Sequence, residues 1–285
     1  MLKMSSFLND FAAYIREKGY NVFSIAEICG GVAEDMQLLR TNRCQDSYSV
    51  AKAFVVTALG FLYDDGLISP DERIADIFPE YTPADARWQG ATLDMALRHS
   101  LGLPGGYMDI DCAPMHTFGR DFLECLFACP LDSAPGEKYC YTDAAFYLLA
   151  RAAEKRAGRP LIDLMWDRLF GPLTFTEAAW STCPLGHAMG ATGLYITSSD
   201  MAKLGALYLG GGMWQGRRIL SEEWVKIVLE RGYELKPTGV GKSYGKGGMY
   251  SQMLLVVPET DRVVAWHAFD DGVNRDLIRF SAEYR

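Results

Sequence analysis

The sequence has few histidines and no Cys-x-x-Cys pair. The four histidines are scattered along the chain, at His99, His116, His187 and His267. Because none forms a His-x-x-x-His pair, the sequence gives no indication of a metal-dependent hydrolase. A Gly-x-Ser-x-Gly match occurs at 241–245, but its serine lies in a Gly-rich stretch that cannot begin a buried helix, so a Ser-His-Asp hydrolase is also a poor interpretation. We therefore predict neither a metal site nor a cofactor.

Basic residues are also fewer than acidic residues. The chain carries 28 lysines and arginines against 36 aspartates and glutamates, a net charge of −8. An acidic protein is a poor partner for nucleic acid or for an anionic membrane surface. No apolar run reaches the ~20 residues that a spanning helix needs, and polar residues from Asn9 to Glu17 interrupt any signal-peptide core. We expect no nucleic-acid or membrane partner.

The seven cysteines are odd in number and irregularly spaced, which is not the pattern of a disulfide framework. Extracellular domains of this size often carry disulfides, whereas proteins of a reducing compartment do not. We therefore expect a cytoplasmic protein. The sequence gives no indication of the oligomeric state.

Strand patterns cluster at the two ends of the chain, and helical patterns fill the middle. The strands are predicted over 21–30, 32–39, 233–237, 248–257 and 262–269, and the first two are joined at Gly30-Gly31. Helix-start signals are found at Ser69-Pro70 and at Thr92. The pattern predicts an α+β fold, with one antiparallel sheet built from both termini, flanking helices and an inserted all-helical domain. We place the sheet domain at 1–66 and 190–285, and the helical domain at 67–189.

A serine and a lysine three residues apart stand where a long apolar run begins. Ser49 and Lys52 precede 53–62, a run typical of a buried helix, with Asp46 or Ser47 placed to cap it. Residues at this spacing share a helix face. A partly desolvated lysine at a helix N-terminus is pushed toward its neutral form and can accept a serine proton. Taken alone, a capped surface helix explains the same pattern.

Two further motifs follow in the chain. Tyr141-Thr142-Asp143 precedes an apolar helix, and Lys246-Gly247-Gly248 precedes an apolar strand. With Ser49-x-x-Lys52, this ordered set resembles the serine β-lactamase and penicillin-binding-protein superfamily, in the branch of class C β-lactamases, D-amino-acid peptidases and related esterases. The first motif matches the family's nucleophile motif, the second its Tyr-x-Asn and the third its Lys-Thr-Gly or His-x-Gly. The stretch from His99 to Pro104 also matches.

The resemblance implies a β-lactamase/transpeptidase-like fold with the active site in a cleft between the two domains. It implies that Ser49 attacks a carbonyl group and that Lys52 and Tyr141 share the work of a general base. It also implies that Lys246 attracts a substrate carboxylate or another acceptor group, and that the backbone N–H groups of Ser49 and Met249 form an oxyanion hole. The implied substrate-binding and oxyanion residues are Asp143, Lys246, Gly247, Gly248 and Met249.

One motif residue departs from the family pattern, because Asp143 stands where the family has an amide. An ionised carboxylate only accepts hydrogen bonds, so Asp143 can favour a substrate N–H, ammonium or hydroxyl group, or pair with Lys52. Lys242 lies close enough to Lys246 to be an alternative for the third motif.

The combined interpretation is a serine hydrolase that forms an acyl-enzyme on Ser49 and acts on a small ester, amide or peptide. One alternative is a β-lactamase or a D-amino-acid peptidase. Another, from a different class, is a non-catalytic ligand-binding protein of the same fold.

Overall fold

The computed structural model describes residues 5–285, and residues 1–4 of the predicted sheet domain lie outside the described residues. Ten α-helices and eleven strands are found in residues 5–285. The helices are α1 (Ser6–Lys18), α2 (Ala51–Asp64), α3 (Ile74–Ile77), α4 (Leu93–Leu97), α5 (Phe122–Phe127), α6 (Asp143–Ala157), α7 (Leu161–Met165), α8 (Ser198–Leu209), α9 (Glu222–Arg231) and α10 (Asn274–Glu283). The strands are β1 (Val22–Cys29), β2 (Val32–Gln37), β3 (Gln45–Asp46), β4 (Ala178–Trp180), β5 (Leu194–Ile196), β6 (Met213–Trp214), β7 (Arg217–Arg218), β8 (Lys236–Pro237), β9 (Tyr244–Gly247), β10 (Met253–Val257) and β11 (Arg262–Ala268).

Contacts between residues divide the chain into two compact units. The first unit holds the chain up to Val50 together with Phe170–Ala179 and Leu194–Arg285. The second unit holds Ala51–Leu169 and Trp180–Gly193. The domain boundaries predicted from the sequence, at residues 66 and 190, and the cleft implied by the resemblance stay predictions.

The first unit is built on a six-stranded antiparallel sheet in the order β2-β1-β11-β10-β9-β8. Strands from the two ends of the chain meet at its centre, where Ile25 of β1 lies opposite Trp266 of β11. The predicted antiparallel sheet drawn from both termini is therefore confirmed.

Helices cover both faces of this sheet because alternate residues of its central strands are apolar on each side. Leu255 and Val257 of β10 belong to the core shared with α1 and α10. On the other face α8 approaches closely at Gly205, where a Cβ atom would lie 2.6 Å from a methyl carbon of Val263 and 2.9 Å from one of Leu254. A side chain at this position would push the helix off the sheet.

The second unit is helical, and its central helix is the one that follows the serine motif. In α2 the run from Ala51 to Leu62 is buried, as its uninterrupted apolar sequence predicts. The helix packs against α6, which is also buried along most of its length. Across residues 5–285 no helix combines the length and the apolar character needed to cross a bilayer.

The predicted helix start at Ser69-Pro70 is wrong, because α3 begins only at Ile74. The preceding segment forms a single turn, in which the Glu72 N–H donates to the Ser69 carbonyl at 3.0 Å, and then hydrogen-bonds to the segment around Thr92. The Asp94 N–H donates to the Pro70 carbonyl at 2.7 Å, and the Leu93 N–H donates to the Glu72 carbonyl at 3.1 Å. These contacts hold the chain out of a helix until Ile74, whereas the helix predicted at Thr92 forms and is capped by the Thr92 side chain.

Candidate active site

Ser49 lies in a short 3₁₀ turn, Tyr48–Val50, that leads directly into α2. The prediction placed it within the first turns of the α-helix itself. The difference begins at Tyr48, whose φ of 47° is in the left-handed region that non-glycine residues rarely adopt. The Tyr48 N–H donates to Oδ1 of Asp46 at 2.8 Å, which holds this turn. Ser49 itself is half-buried, so its hydroxyl is not enclosed by the core.

A second turn of the first unit lies beside the serine turn. Residues 248–252 form this turn between β9 and β10, where the sequence predicted continuous strand. The Gly248 N–H donates to the Gln252 carbonyl at 2.8 Å, and the Gln252 side chain accepts from the Tyr250 N–H at 3.1 Å. A Cβ atom on Gly248 would lie 2.8 Å from the Ser47 carbonyl oxygen. Only glycine therefore allows the two turns to approach this closely.

The Met249 N–H at the tip of this turn is a candidate oxyanion donor. No hydrogen-bond acceptor is found for it within residues 5–285. A backbone donor held by a rigid turn and left without an internal acceptor is what stabilisation of a developing oxyanion requires.

Lys246 lies in β9 and forms an ion pair with Glu234, a residue that the sequence analysis did not single out. The side chain of Glu234 is fully buried, and that of Lys246 is 12% exposed. The pairing of β8 with β9, which sets Lys236 opposite Gly245, brings the segment of Glu234 next to Lys246. Lys242, the alternative for the third motif, lies exposed in the turn before β9.

In the second unit, Lys52 occupies the first turn of α2 with its side chain fully buried. Its Nζ donates to Oδ1 of Asp143 at 2.7 Å and to the Ala191 carbonyl at 2.9 Å. The same nitrogen lies 4.9 Å from the centre of the Tyr141 ring, within the range of a cation–π interaction. Of the options that the sequence left open for Asp143, the structure forms the pair with Lys52.

Asp143 is the first residue of α6, where the helix dipole favours a negative charge. Its second oxygen, Oδ2, accepts from the Ile110 N–H at 3.1 Å. Both carboxylate oxygens are therefore engaged by groups of the second unit.

Tyr141 is held by a buried histidine, His99. The rings of Tyr141 and His99 lie 4.4 Å apart between centres. The backbone carbonyl of His99 accepts from the Cys140 N–H at 2.7 Å, and its Nδ1 accepts from the Thr142 N–H at 3.3 Å. Because Nδ1 acts as an acceptor, the ring proton belongs on Nε2. His99 thus fixes the segment on both sides of Tyr141.

The predicted site residues form two groups, one in each unit. In the first unit the Ser49 turn lies beside Gly248 and Met249, with Lys246 and Gly247 on the strand that leads into them. In the second unit Lys52, Tyr141 and Asp143 form one cluster. Ser49 and Lys52 are three residues apart on one continuous segment. Within the described part of the chain, no cluster of three or more His, Cys, Asp and Glu residues could hold a metal ion.

The sequence profile of the family described as Beta-lactamase matches residues 29–279. The chain belongs to this family. It is 24% identical to a 6-aminohexanoate-dimer hydrolase of Paenarthrobacter ureafaciens, with 94% of this chain and 78% of that protein covered. It is 29% identical to penicillin-binding protein 4 of Amycolatopsis lactamdurans, with 67% of this chain and 58% of that protein covered.

Solved structures show the same fold. The D-amino acid amidase of Ochrobactrum anthropi SV3 superposes with a TM-score of 0.75 at 18% identity, covering 97% of this chain and 98% of that one. The β-lactamase/transpeptidase-like fold and the family resemblance inferred from the sequence are confirmed.

Proposed function

We propose that this protein is a serine hydrolase that forms an acyl-enzyme on Ser49. The observation that carries the proposal is the arrangement of the first unit, where a strained turn presents Ser49 beside a second turn whose Met249 N–H has no acceptor within residues 5–285. A nucleophile next to a fixed N–H donor is the minimum that acyl transfer needs. The lysine and tyrosine of the family motifs follow in the second unit.

The reaction begins when Ser49 Oγ attacks the substrate carbonyl carbon and a C–O bond forms. The hydroxyl proton passes to the general base, and the carbonyl oxygen takes the negative charge, stabilised by the N–H groups of Ser49 and Met249. The tetrahedral intermediate then collapses, and the leaving alcohol or amine takes the proton as its bond to carbon breaks. Water repeats the sequence on the acyl-enzyme and releases the acid.

Tyr141 is the better candidate for the direct proton acceptor. A lysine acts as a base only when it is neutral and a tyrosine only as its phenolate, and a carboxylate 2.7 Å from Lys52 favours the ammonium form of the lysine. Lys52 would then act as a fixed positive charge behind the Tyr141 ring. Because of Asp143, Tyr141 is favoured over Lys52 as the group that accepts the Ser49 proton.

Small esters and amides are the proposed substrates. One relative is named a 6-aminohexanoate-dimer hydrolase and one solved structure a D-amino acid amidase, and ester and amide hydrolysis both proceed through an acyl-enzyme. All seven cysteines are free thiols, which suits the reducing cytoplasm in which we place the protein. β-Lactamase or D-amino-acid peptidase activity is the alternative. A purely ligand-binding protein would not need the serine, lysine and tyrosine together.

The proposal is tested with Ser49→Ala, using a p-nitrophenyl ester and a serine-reactive phosphonate located by mass spectrometry. We expect the phosphonate to label Ser49, and the variant to lose at least ~10³-fold in kcat, because the attacking oxygen is gone and little packing changes. Ser243→Ala is a matched control, since Ser243 also stands three residues before a lysine but hydrogen-bonds to the Val240 carbonyl at 2.6 Å. This control should retain labelling and turnover.

A variant Ser49→Ala that keeps most of the activity would place the nucleophile elsewhere. A chromogenic cephalosporin assayed at the same enzyme concentration should be turned over slowly or not at all. Efficient cephalosporin hydrolysis without ester hydrolysis would favour the β-lactamase alternative.

A further inference from the structure

The charge of Lys246 is balanced from within the first unit. Its partner Glu234 is buried completely, so the carboxylate cannot turn out to water. In the motif set of this family, the resemblance assigns to Lys246 the attraction of a substrate carboxylate. Here an internal carboxylate already holds the lysine, and an incoming anion would meet Glu234 as well as Lys246.

Glu234 is fixed by its backbone and not only by the ion pair. Its φ of 63° is in the left-handed region that non-glycine residues rarely adopt. The residues on either side anchor it, because the Tyr233 N–H donates to the Val228 carbonyl at 2.9 Å and the Leu235 N–H donates to the Tyr233 carbonyl at 2.8 Å. Unusual backbone conformations of this kind persist where the surrounding structure holds them, often at functional sites.

The surface next to the serine turn is aromatic. Tyr250 stacks on Phe269 with 4.3 Å between ring centres, and its edge meets Tyr48, the neighbour of Ser49, at 5.1 Å. Phe269 is 52% exposed and Met249 is 39% exposed, so apolar surface is available to a ligand. We call the three aromatic residues Tyr48, Tyr250 and Phe269, together with Met249, the aromatic wall.

The charge that borders the aromatic wall is negative. Asp270 follows Phe269, and its N–H donates to the Tyr250 carbonyl at 3.3 Å, which places this acidic residue at the wall. Asp271 is exposed next to it. The Asp270 carboxylate accepts from the Asn21 and Asp271 N–H groups at 2.8 and 2.9 Å, so an anionic group at the wall would lie near two aspartates. Lys246, three residues before Met249 in sequence, already has a carboxylate partner.

We propose that Glu234 makes the site selective for substrates without a carboxylate, namely neutral esters or amides with an apolar or aromatic acyl group. This inference rests on the proposed function, with Ser49 as nucleophile. Glu234 acts through Lys246 and does not touch the reacting atoms, so it is a positioning residue.

The test compares two esters of equal acyl length, p-nitrophenyl hexanoate and mono-p-nitrophenyl adipate, which differ in a terminal carboxylate. Each rate is corrected for spontaneous hydrolysis. The wild-type protein should have a kcat/KM for the neutral ester at least ~10-fold above that for the adipate. A wild-type preference for the adipate would overturn the proposal without any variant.

Glu234→Gln removes the charge and keeps the size of the side chain. It should narrow the preference for the neutral ester about tenfold, mainly through a lower KM for the adipate, while hexanoate turnover stays within about threefold. The narrowing should shrink at high ionic strength, because it is electrostatic. A change in packing alone would affect both esters alike and would not respond to salt.

Glu27→Gln is the matched control, because Glu27 is the buried carboxylate of another ion pair of this unit, with Arg262 at 2.7 Å. It should leave the preference unchanged. If Glu234→Gln also leaves it unchanged while the phosphonate labels Ser49 and hexanoate is hydrolysed, the selectivity proposal fails and the serine hydrolase proposal stands. If the wild-type protein neither hydrolyses hexanoate nor labels Ser49, the function itself is wrong.

Discussion

In each unit a lysine of the predicted site forms a buried pair with a carboxylate, and these two pairs are buried in opposite ways. In the second unit Lys52 is fully buried and Asp143 is 6% exposed. In the first unit it is the carboxylate of Glu234 that is fully buried, and Lys246 reaches the surface. Lys52 is a lysine that cannot reach water and depends on its carboxylate, whereas Lys246 can be hydrated in part. In the second unit the pair therefore holds the positive charge of Lys52 in the interior. In the first unit it neutralises the positive charge of Lys246 near the surface.

The largest expected effect comes from breaking the deeper pair. Asp143→Ala removes the charge that balances Lys52, and a buried charge without its partner typically costs 3–5 kcal/mol, so we expect a loss of about that size in the free energy of unfolding. Urea unfolding followed by circular dichroism measures it. Asp76→Asn is the control, because the pair of Asp76 with Arg73 is exposed and should contribute less than ~1 kcal/mol. Equal stability of the wild-type protein and Asp143→Ala would show that the pair does not stabilise the fold.

The sequence indicated one of these pairs and not the other. Asp143 belongs to a motif that already contained Tyr141, and pairing with Lys52 was among its predicted options. Glu234 lies twelve residues before Lys246 and outside every motif. Only the pairing of β8 with β9 brings it to the lysine, and that register is set by the turn between the two strands, where the Thr238 N–H donates to the Ser243 carbonyl at 3.0 Å. The available signal was a lone glutamate inside the strand predicted over 233–237, between Tyr233 and Leu235.

The coarse fold could be predicted because hydrophobic periodicity is a local property of the sequence. The turns of the candidate site could not be predicted in this way. Continuous strand over 248–257 was predicted from its apolar residues, yet the Gln252 side chain ties the first part of this segment into a turn. The helix predicted at Ser49 begins two residues later, because Asp46 holds Tyr48 in a left-handed conformation. In both places a side-chain hydrogen bond overrides the backbone preference.

The buried base His267 differs from Lys52 and Lys246 because its hydrogen-bond partner is a backbone carbonyl and not a carboxylate. His267 is fully buried and donates from Nε2 to the Ile196 carbonyl at 3.0 Å, and burial lowers its pKa from 6.5 to about 4. Between these pH values the unfolded chain binds a proton that the folded protein does not, so stability should fall as the pH drops from 6.5 to 4. The loss from this residue is on the order of 3 kcal/mol.

Urea unfolding at several pH values between 7 and 4.5 measures this effect, with His267→Gln as the comparison. The glutamine keeps a hydrogen-bond donor but cannot titrate, so the difference in stability between the two proteins should shrink as the pH falls. Parallel pH profiles for the two proteins would assign the acid sensitivity to other groups.

The smallest expected effect comes from the shallower pair, and it tests the comparison itself. Glu234→Gln leaves Lys246 without its carboxylate, but this lysine is 12% exposed and can turn its ammonium group toward water. We therefore expect a loss of about 1–2 kcal/mol in the free energy of unfolding, below the loss for Asp143→Ala. The two variants are measured side by side at pH 7. A loss for Glu234→Gln as large as that for Asp143→Ala would mean that Lys246 is held in the interior as firmly as Lys52, and that its charge serves the fold more than the selection of substrate.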